Sequence, residues 1–123
     1  YPAPKWLKSP DGVMLRLNKA YETEFLLPFG ITRSDYIGRT DFEIWPDEIA
    51  RKFREKDQFV IKTGEPVTTI EVVEYPDGTR ENFEVTKYPW IINGTVLGVA
   101  GYVDVDFKDG YKIRSNERRK ATK

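Results

Sequence analysis

"VTTIEVVEYPDGTRENFEVTKYPWIINGTVLGVAGYVDVDF", residues 67–107, is three runs of alternating residues separated by two tight-turn signals. In an extended chain successive side chains point to opposite faces, so a hydrophobic period of two marks a strand with one buried side. The punctuation is Pro76-Asp77-Gly78 and Asn93-Gly94, and Asn-Gly between alternating runs is a strong hairpin signal. The stretch therefore reads as a three-stranded antiparallel meander. Parity carries Phe83, Val85 and Lys87 inward and places Tyr88, Trp90 and Tyr102 on the opposite, outer face, with Pro89 able to shift the register locally. Gly98 and Gly101 interrupt the last run. Glycine weakens a strand unless something packs close to its backbone, so a close approach is expected there.

Upstream of Gly64 the period changes to that of a helix, expected over Asp47–Thr63, with Pro46 before it and Gly64 closing it. At 100° per residue Ile49, Phe53 and Val60 fall within about 40° of one another, and Ala50 and Ile61 widen the stripe to about 120°. Within that stripe, in "FREKDQFVIKTG" (53–64), stands Asp57. A carboxylate aimed at a core must be paired, hydrogen-bonded or protonated, since burying it alone costs several kcal/mol. Lys87 is its expected partner, because strand parity points the lysine inward. The two are either polar anchors of a ligand pocket or a self-satisfied pair, Asp57 alternatively capping loop amides.

Before the long helix, "PKWLK" is a short strand and "SPDG" a turn. "VMLRL" alternates so that Val13, Leu15 and Leu17 share one face and Met14 takes the other. Asn18 opens a helix carrying Ala20, Tyr21, Phe25 and Leu26, which stops near Pro28 to Gly30. Thr32 with Asp35, then Thr40 with Glu43, announce two helical turns in capping-box spacing. Two strands, a helical crossover and a meander make an α+β fold: a five-stranded antiparallel sheet with its helices on one face.

With 123 residues the chain is expected to be one domain over residues 1–107, followed by a charged tail or linker over 108–123. Twenty Lys and Arg balance twenty Asp and Glu, so no net field draws nucleic acid, and "KIRSNERRKATK" reads as a solvated terminus rather than a nucleic-acid arm. Cysteine and histidine are both absent, which removes disulfides, thiolate nucleophiles, Cys/His zinc sites, Ser-His-Asp triads and histidine-ligated haem. The lack of Cys fits a cytoplasmic setting. No apolar run is long enough for a membrane span, so none is expected to insert. The chain starts without Met, as a segment of a longer parent would.

The succession "SPDGVMLRLNKAYE", "GITRSDYIGRTDFEIWP", "KDQFVIKTGEPV", "PDGTRENFEVTKYP" and "NGTVLGVAGYVDVD" resembles a PAS domain in order and spacing over roughly residues 4–107. The resemblance implies strand order 2-1-5-4-3 around a small pocket beneath the helices. It also implies a sensory or interaction role in a larger signalling protein, of which histidine kinases and diguanylate cyclases are the usual kinds. Where such domains often end in Asp-Ile-Thr, this chain has Asp104-Val105-Asp106. The family's haem proteins use a His of the long helix and its flavin-adduct proteins a Cys, so the resemblance leaves a small diffusible ligand, a non-covalent flavin, or an empty core.

The expected pocket residues are Trp45, Phe53, Asp57, Val60, Phe83, Val85 and Lys87. The expected dimer face is Met14, Tyr88, Trp90 and Tyr102, and no metal or catalytic residue is assigned. A small-molecule sensor that relays by homodimerisation is the leading expectation and a ligand-free dimerisation module the alternative. A carboxylate enzyme built on pairs such as Asp41 with Glu43, or Asp104 with Asp106, comes last, because so many acids produce such pairs by chance.

Overall fold

The computed structural model describes residues 2–104. β1 (Lys5–Lys8) and β2 (Met14–Leu17) form a hairpin. Asn18 then accepts the Tyr21 amide and caps α1 (Lys19–Tyr21), which widens into a π-helical turn over Glu22–Leu26 and ends as a 3-10 turn, Leu27–Phe29. Both expected capping boxes form, Thr32 with Asp35 at the start of α2 (Arg33–Tyr36) and Thr40 with Glu43 at the start of α3 (Asp41–Ile44). α4 runs Asp47–Thr63 and stops at Gly64, whose φ of 69° is a left-handed conformation that suits glycine.

The meander is β3 (Val67–Glu74), β4 (Arg80–Ile92) and β5 (Thr95–Val103). Asn93 and Gly94 turn between β4 and β5 with φ of 50° and 78°, the two positive values that the favoured two-residue hairpin turn needs. The sheet order is β2-β1-β5-β4-β3 and every neighbouring pair is antiparallel. β1 is thereby zipped to β5, so the two ends of the described chain meet in mid-sheet. The inner face carries Trp6, Leu17, Val85 and Val103, packed against Tyr21, Phe25, Leu26 and Tyr36.

The first hairpin departs from simple alternation. Trp6 faces Leu17 and Leu7 faces Arg16, but Lys8 faces Met14, leaving Leu15 as an extra residue in β2. Such a bulge reverses the parity of everything beyond it. Met14 therefore points into the core and is fully buried, while Leu15 is 41% exposed. Met14 does not belong to the outer face where alternation places it, and Val13, Leu15 and Leu17 do not share a side. The edge at Met14 is also covered, since its N–H donates to the Arg39 carbonyl and its carbonyl accepts from Gly38. Tyr88, Trp90 and Tyr102 do lie on the outer face, each between a third and two fifths exposed, with Tyr88 and Tyr102 6.2 Å apart between ring centroids.

The glycines of β5 meet their neighbours at close range. A Cβ on Gly98 would overlap the carbonyl oxygen of Lys8, and one on Gly101 would overlap the indole of Trp6. Backbone and a packed indole yield little, so Gly98→Ala and Gly101→Ala should each lower stability by about 1–3 kcal/mol. Urea denaturation checks this, and an unmoved midpoint in both variants contradicts it.

Candidate functional site

Between the inner face of the sheet and the helices lies a cavity of about 670 Å³. Its walls are rich in aromatic rings: Trp6 from β1, Tyr21 and Phe25 from the first helical segment, Trp45 before α4, Phe53 on α4 and Phe83 on β4. The rings brace one another edge to face, Phe25 on Phe83 at 5.0 Å and Phe29 on Trp45 at 5.4 Å. Ile49, expected within the buried stripe of α4, instead lines the cavity while 43% exposed.

One end of the cavity is polar. Lys8, Glu71 and Lys87 line it, each placed by strand parity: Lys8 two residues after Trp6, Lys87 two after Val85, and Glu71 on the inward side of β3. Behind them is Asp57, 1% exposed. One of its oxygens lies 3.4 Å from Lys8 Nζ and the other 3.3 Å from Lys87 Nζ. The approach of Lys87 has the range of an ion pair but lacks hydrogen-bond geometry, so among the described residues Asp57 Oδ1 accepts no hydrogen bond. Both ammonium groups also sit near the Phe53 ring, at 5.4 and 5.2 Å from its centroid.

The network runs on behind the cavity wall and returns to it at Trp45. Lys8 Nζ donates to Asp41 Oδ2 at 2.7 Å, the other Asp41 oxygen accepts from the Tyr36 hydroxyl, and that hydroxyl accepts from Trp45 Nε1 at 3.1 Å. Glu71 lies 3.3 Å from Lys56 and 4.0 Å from Lys87. Burial pushes the Tyr21 phenol well up, with the charge of Asp41 adding to it. Tyr36 is raised in the same way, by burial first and then by Tyr21 and Asp41. Both remain neutral phenols across the physiological range.

Of the residues singled out from the sequence, Trp45, Phe53, Phe83, Val85 and Lys87 line the cavity, while Asp57 and Val60 are buried without lining it. Lys8, Asp41, Tyr36 and Glu71 were not foreseen at this site. Lys8 was legible in principle, since it shares the parity of Trp6 in β1. Asp41 and Glu43 do not form a pair of acids: Asp41 is 3% exposed in the network and Glu43 caps α3. Asp106, Val105 and the tail 108–123 lie outside the described residues. Among the described residues no group of three or more acidic side chains is arranged to hold a metal ion, and no helix is long and apolar enough to cross a membrane.

A family model of the PAS fold matches residues 2–105. The chain belongs to the PAS family. No curated protein matches it in sequence. Among solved structures it is similar to VqmA of Vibrio cholerae, described as a dimer whose conformation shifts in the absence of target DNA, at 30% identity and a TM-score of 0.70, over 84% of this chain and 45% of that one. A structure of VqmA bound to DPO matches at 31% identity and a TM-score of 0.70, over 84% and 52% of the two chains. The PAS domain of Bordetella pertussis BvgS shares the fold, with a TM-score of 0.71 at 21% identity over 98% and 89%. The PAS chain thus spans about half the length of the VqmA chains it matches.

Two measurements probe the network. Asp57→Ala leaves Glu71, 4.0 Å away, as the one carboxylate near Lys87 among the described residues, and should destabilise the fold by about 3 kcal/mol, much of which Asp57→Ala with Lys87→Met should recover. Zero coupling in that double-mutant cycle would mean that the pair does not interact. The second uses pH. Tyr21 and Tyr36 hold their protons in the folded chain above the ordinary phenol value of 10.0, so the unfolded chain ionises first. The stability these phenols contribute is complete below pH 10.0 and falls as the pH rises beyond it. Tyr36→Phe should flatten that alkaline decline in urea midpoints, and an unchanged slope contradicts the assignment.

Proposed function

We propose that this PAS domain, over residues 1–107, is a cytoplasmic sensory module that binds a small molecule in its cavity and relays occupancy to an output unit of the same parent polypeptide. The cavity carries the reading: a volume of about 670 Å³ falls within the roughly 300–1,000 Å³ usual for ligand sites, and aromatic walls around a few convergent polar groups are the usual lining. The solved structure of VqmA bound to DPO supports it, as a protein about 30% identical that holds a small molecule. No catalytic role is assigned to the domain.

Relay through a homodimer is supported by the outer face, where Tyr88, Trp90 and Tyr102 stand exposed, with Ile70 and Val72 exposed further along the same face on β3, and by the description of VqmA as a dimer. An apolar sheet face of this kind is well suited to a partner. Histidine kinases and diguanylate cyclases remain the proposed output types, the former supported by the shared fold of the PAS domain of the kinase ThkA. A VqmA structure is also described as a complex with ligand and DNA, so the expected lack of a nucleic-acid partner is proposed for this domain and not for its parent. Residues 108–123 are proposed as the link onward. A ligand-free dimerisation module is the second reading, favoured by that same outer face.

Native mass spectrometry of the purified protein reads both features at once. A dimer carrying a small molecule is the expected result. A dimer without one favours the second reading, and a bare monomer at high concentration removes both.

A further inference from the structure

The polar end of the cavity is neutral before anything enters it. Lys8 and Lys87 stand against Asp41 and Asp57, and the partly buried Lys56 stands against Glu71. A carboxylate or phosphate brought to Lys87 would lie beside Asp57 and Glu71 with no cation left over to balance it. An ammonium brought to Glu71 would lie beside Lys56 and Lys87. Either leaves a net charge among largely buried side chains, which is less favourable than a balanced cluster.

Charge is therefore balanced, and hydrogen bonding is not. An ammonium has three donors. Lys8 uses two, at 2.7 and 3.4 Å, but Lys87, only 3% exposed, makes no hydrogen bond to any described residue. Its nearest carboxylate oxygens are the poorly aligned Asp57 Oδ1 at 3.3 Å and Glu71 Oε2 at 4.0 Å. Its donors open on the cavity with no protein acceptor in hydrogen-bond geometry among the described residues, and are free for an acceptor that enters. An incoming acceptor that brings no charge satisfies it without disturbing the balance. Beyond the polar end Phe25, Trp45, Phe53 and Phe83 offer ring faces and edges, which suit a flat apolar body, and the other charged lining residues, Glu74 and Arg80, are an exposed ion pair 2.8 Å apart.

Resting on the sensory reading above, we infer that the cavity takes an uncharged aromatic molecule that presents a carbonyl oxygen or ring nitrogen to Lys87 Nζ, with an N–H or O–H beside it for Glu71. Lys87 then selects for an acceptor and the balanced carboxylates select against net charge, so the same cluster sets both affinity and specificity.

The test uses the whole chain, dialysed until mass spectrometry detects no bound molecule, and four probes of one shape: benzamide, benzoate, benzylamine and toluene. Binding is followed by NMR chemical-shift titration of cavity residues such as Val85 and Val103. Benzamide should bind at least about tenfold more tightly than benzoate or benzylamine, and more tightly than toluene. Lys87→Met should abolish the preference for benzamide over toluene while toluene still binds. Benzoate or benzylamine binding as tightly as benzamide overturns the inferred ligand class and leaves the cavity a ligand site, as does a preference that survives Lys87→Met. The ranking in the unsubstituted chain decides by itself if that variant fails to fold. No shift at cavity residues with any probe removes the inference together with the sensory reading.

Discussion

The carboxylate of Asp57 is held between two ammonium groups that come from opposite sides of the sheet's middle, Lys8 on β1 and Lys87 on β4, with β5 lying between those strands. An isolated buried carboxylate is strongly unfavourable, so α4 has few places to rest on this sheet. A slip of one turn would carry Asp57 away from both lysines, leaving its carboxylate buried without a cation and Lys87 with the more distant Glu71, while Lys8 keeps Asp41. The ion cluster contributes modestly to net stability, as buried pairs do, and strongly to the choice of a single arrangement of helix on sheet.

From Lys8 the same cluster reaches the short helices. Asp41 at the start of α3 binds Lys8 and Tyr36, and Tyr36 in turn binds the Trp45 indole. α2 and α3 have four residues each, too few to be stable alone, and their capping boxes satisfy only their own first turns. Their placement over the sheet depends on Asp41 and on the buried Tyr36 ring. A continuous polar chain therefore joins Trp45, at the cavity wall, to Lys87, at the cavity's polar end. It ties the cavity wall to β1 and β4 at once.

The cavity exists because its walls are large and rigid. Trp6 lies flat against Gly101, where any side chain would lift it off the sheet, and the rings from the helices brace one another edge to face instead of collapsing inward. On the other side of the sheet, Tyr88, Trp90 and Tyr102 present apolar surface from the same two strands that carry Lys87 and Gly101. Inner and outer faces are thus alternate residues of one ladder, and a shift at Lys87 is one peptide removed from the outer surface at Tyr88.

What was local was legible. The meander, the capping boxes, the end of α4 at Gly64 and the inward direction of Asp57 and Lys87 follow from period, turn chemistry and helical angle, each set by a handful of neighbouring residues. Strand order came from resemblance to a family rather than from the residues, because period and turns do not say which strands pair across a long crossover. Met14 escaped because a bulge is an event between two strands: nothing within "VMLRL" tells that Leu15 has no partner, and one unpaired residue reverses every side chain beyond it. Lys8 and Asp41 escaped for a related reason, since they meet Asp57 across sequence separations of 49 and, through Lys8, 33 residues. A carboxylate in an apolar stripe announces that it needs a cation. Which cation arrives is decided only when the sheet closes and burial makes every unpaired charge count.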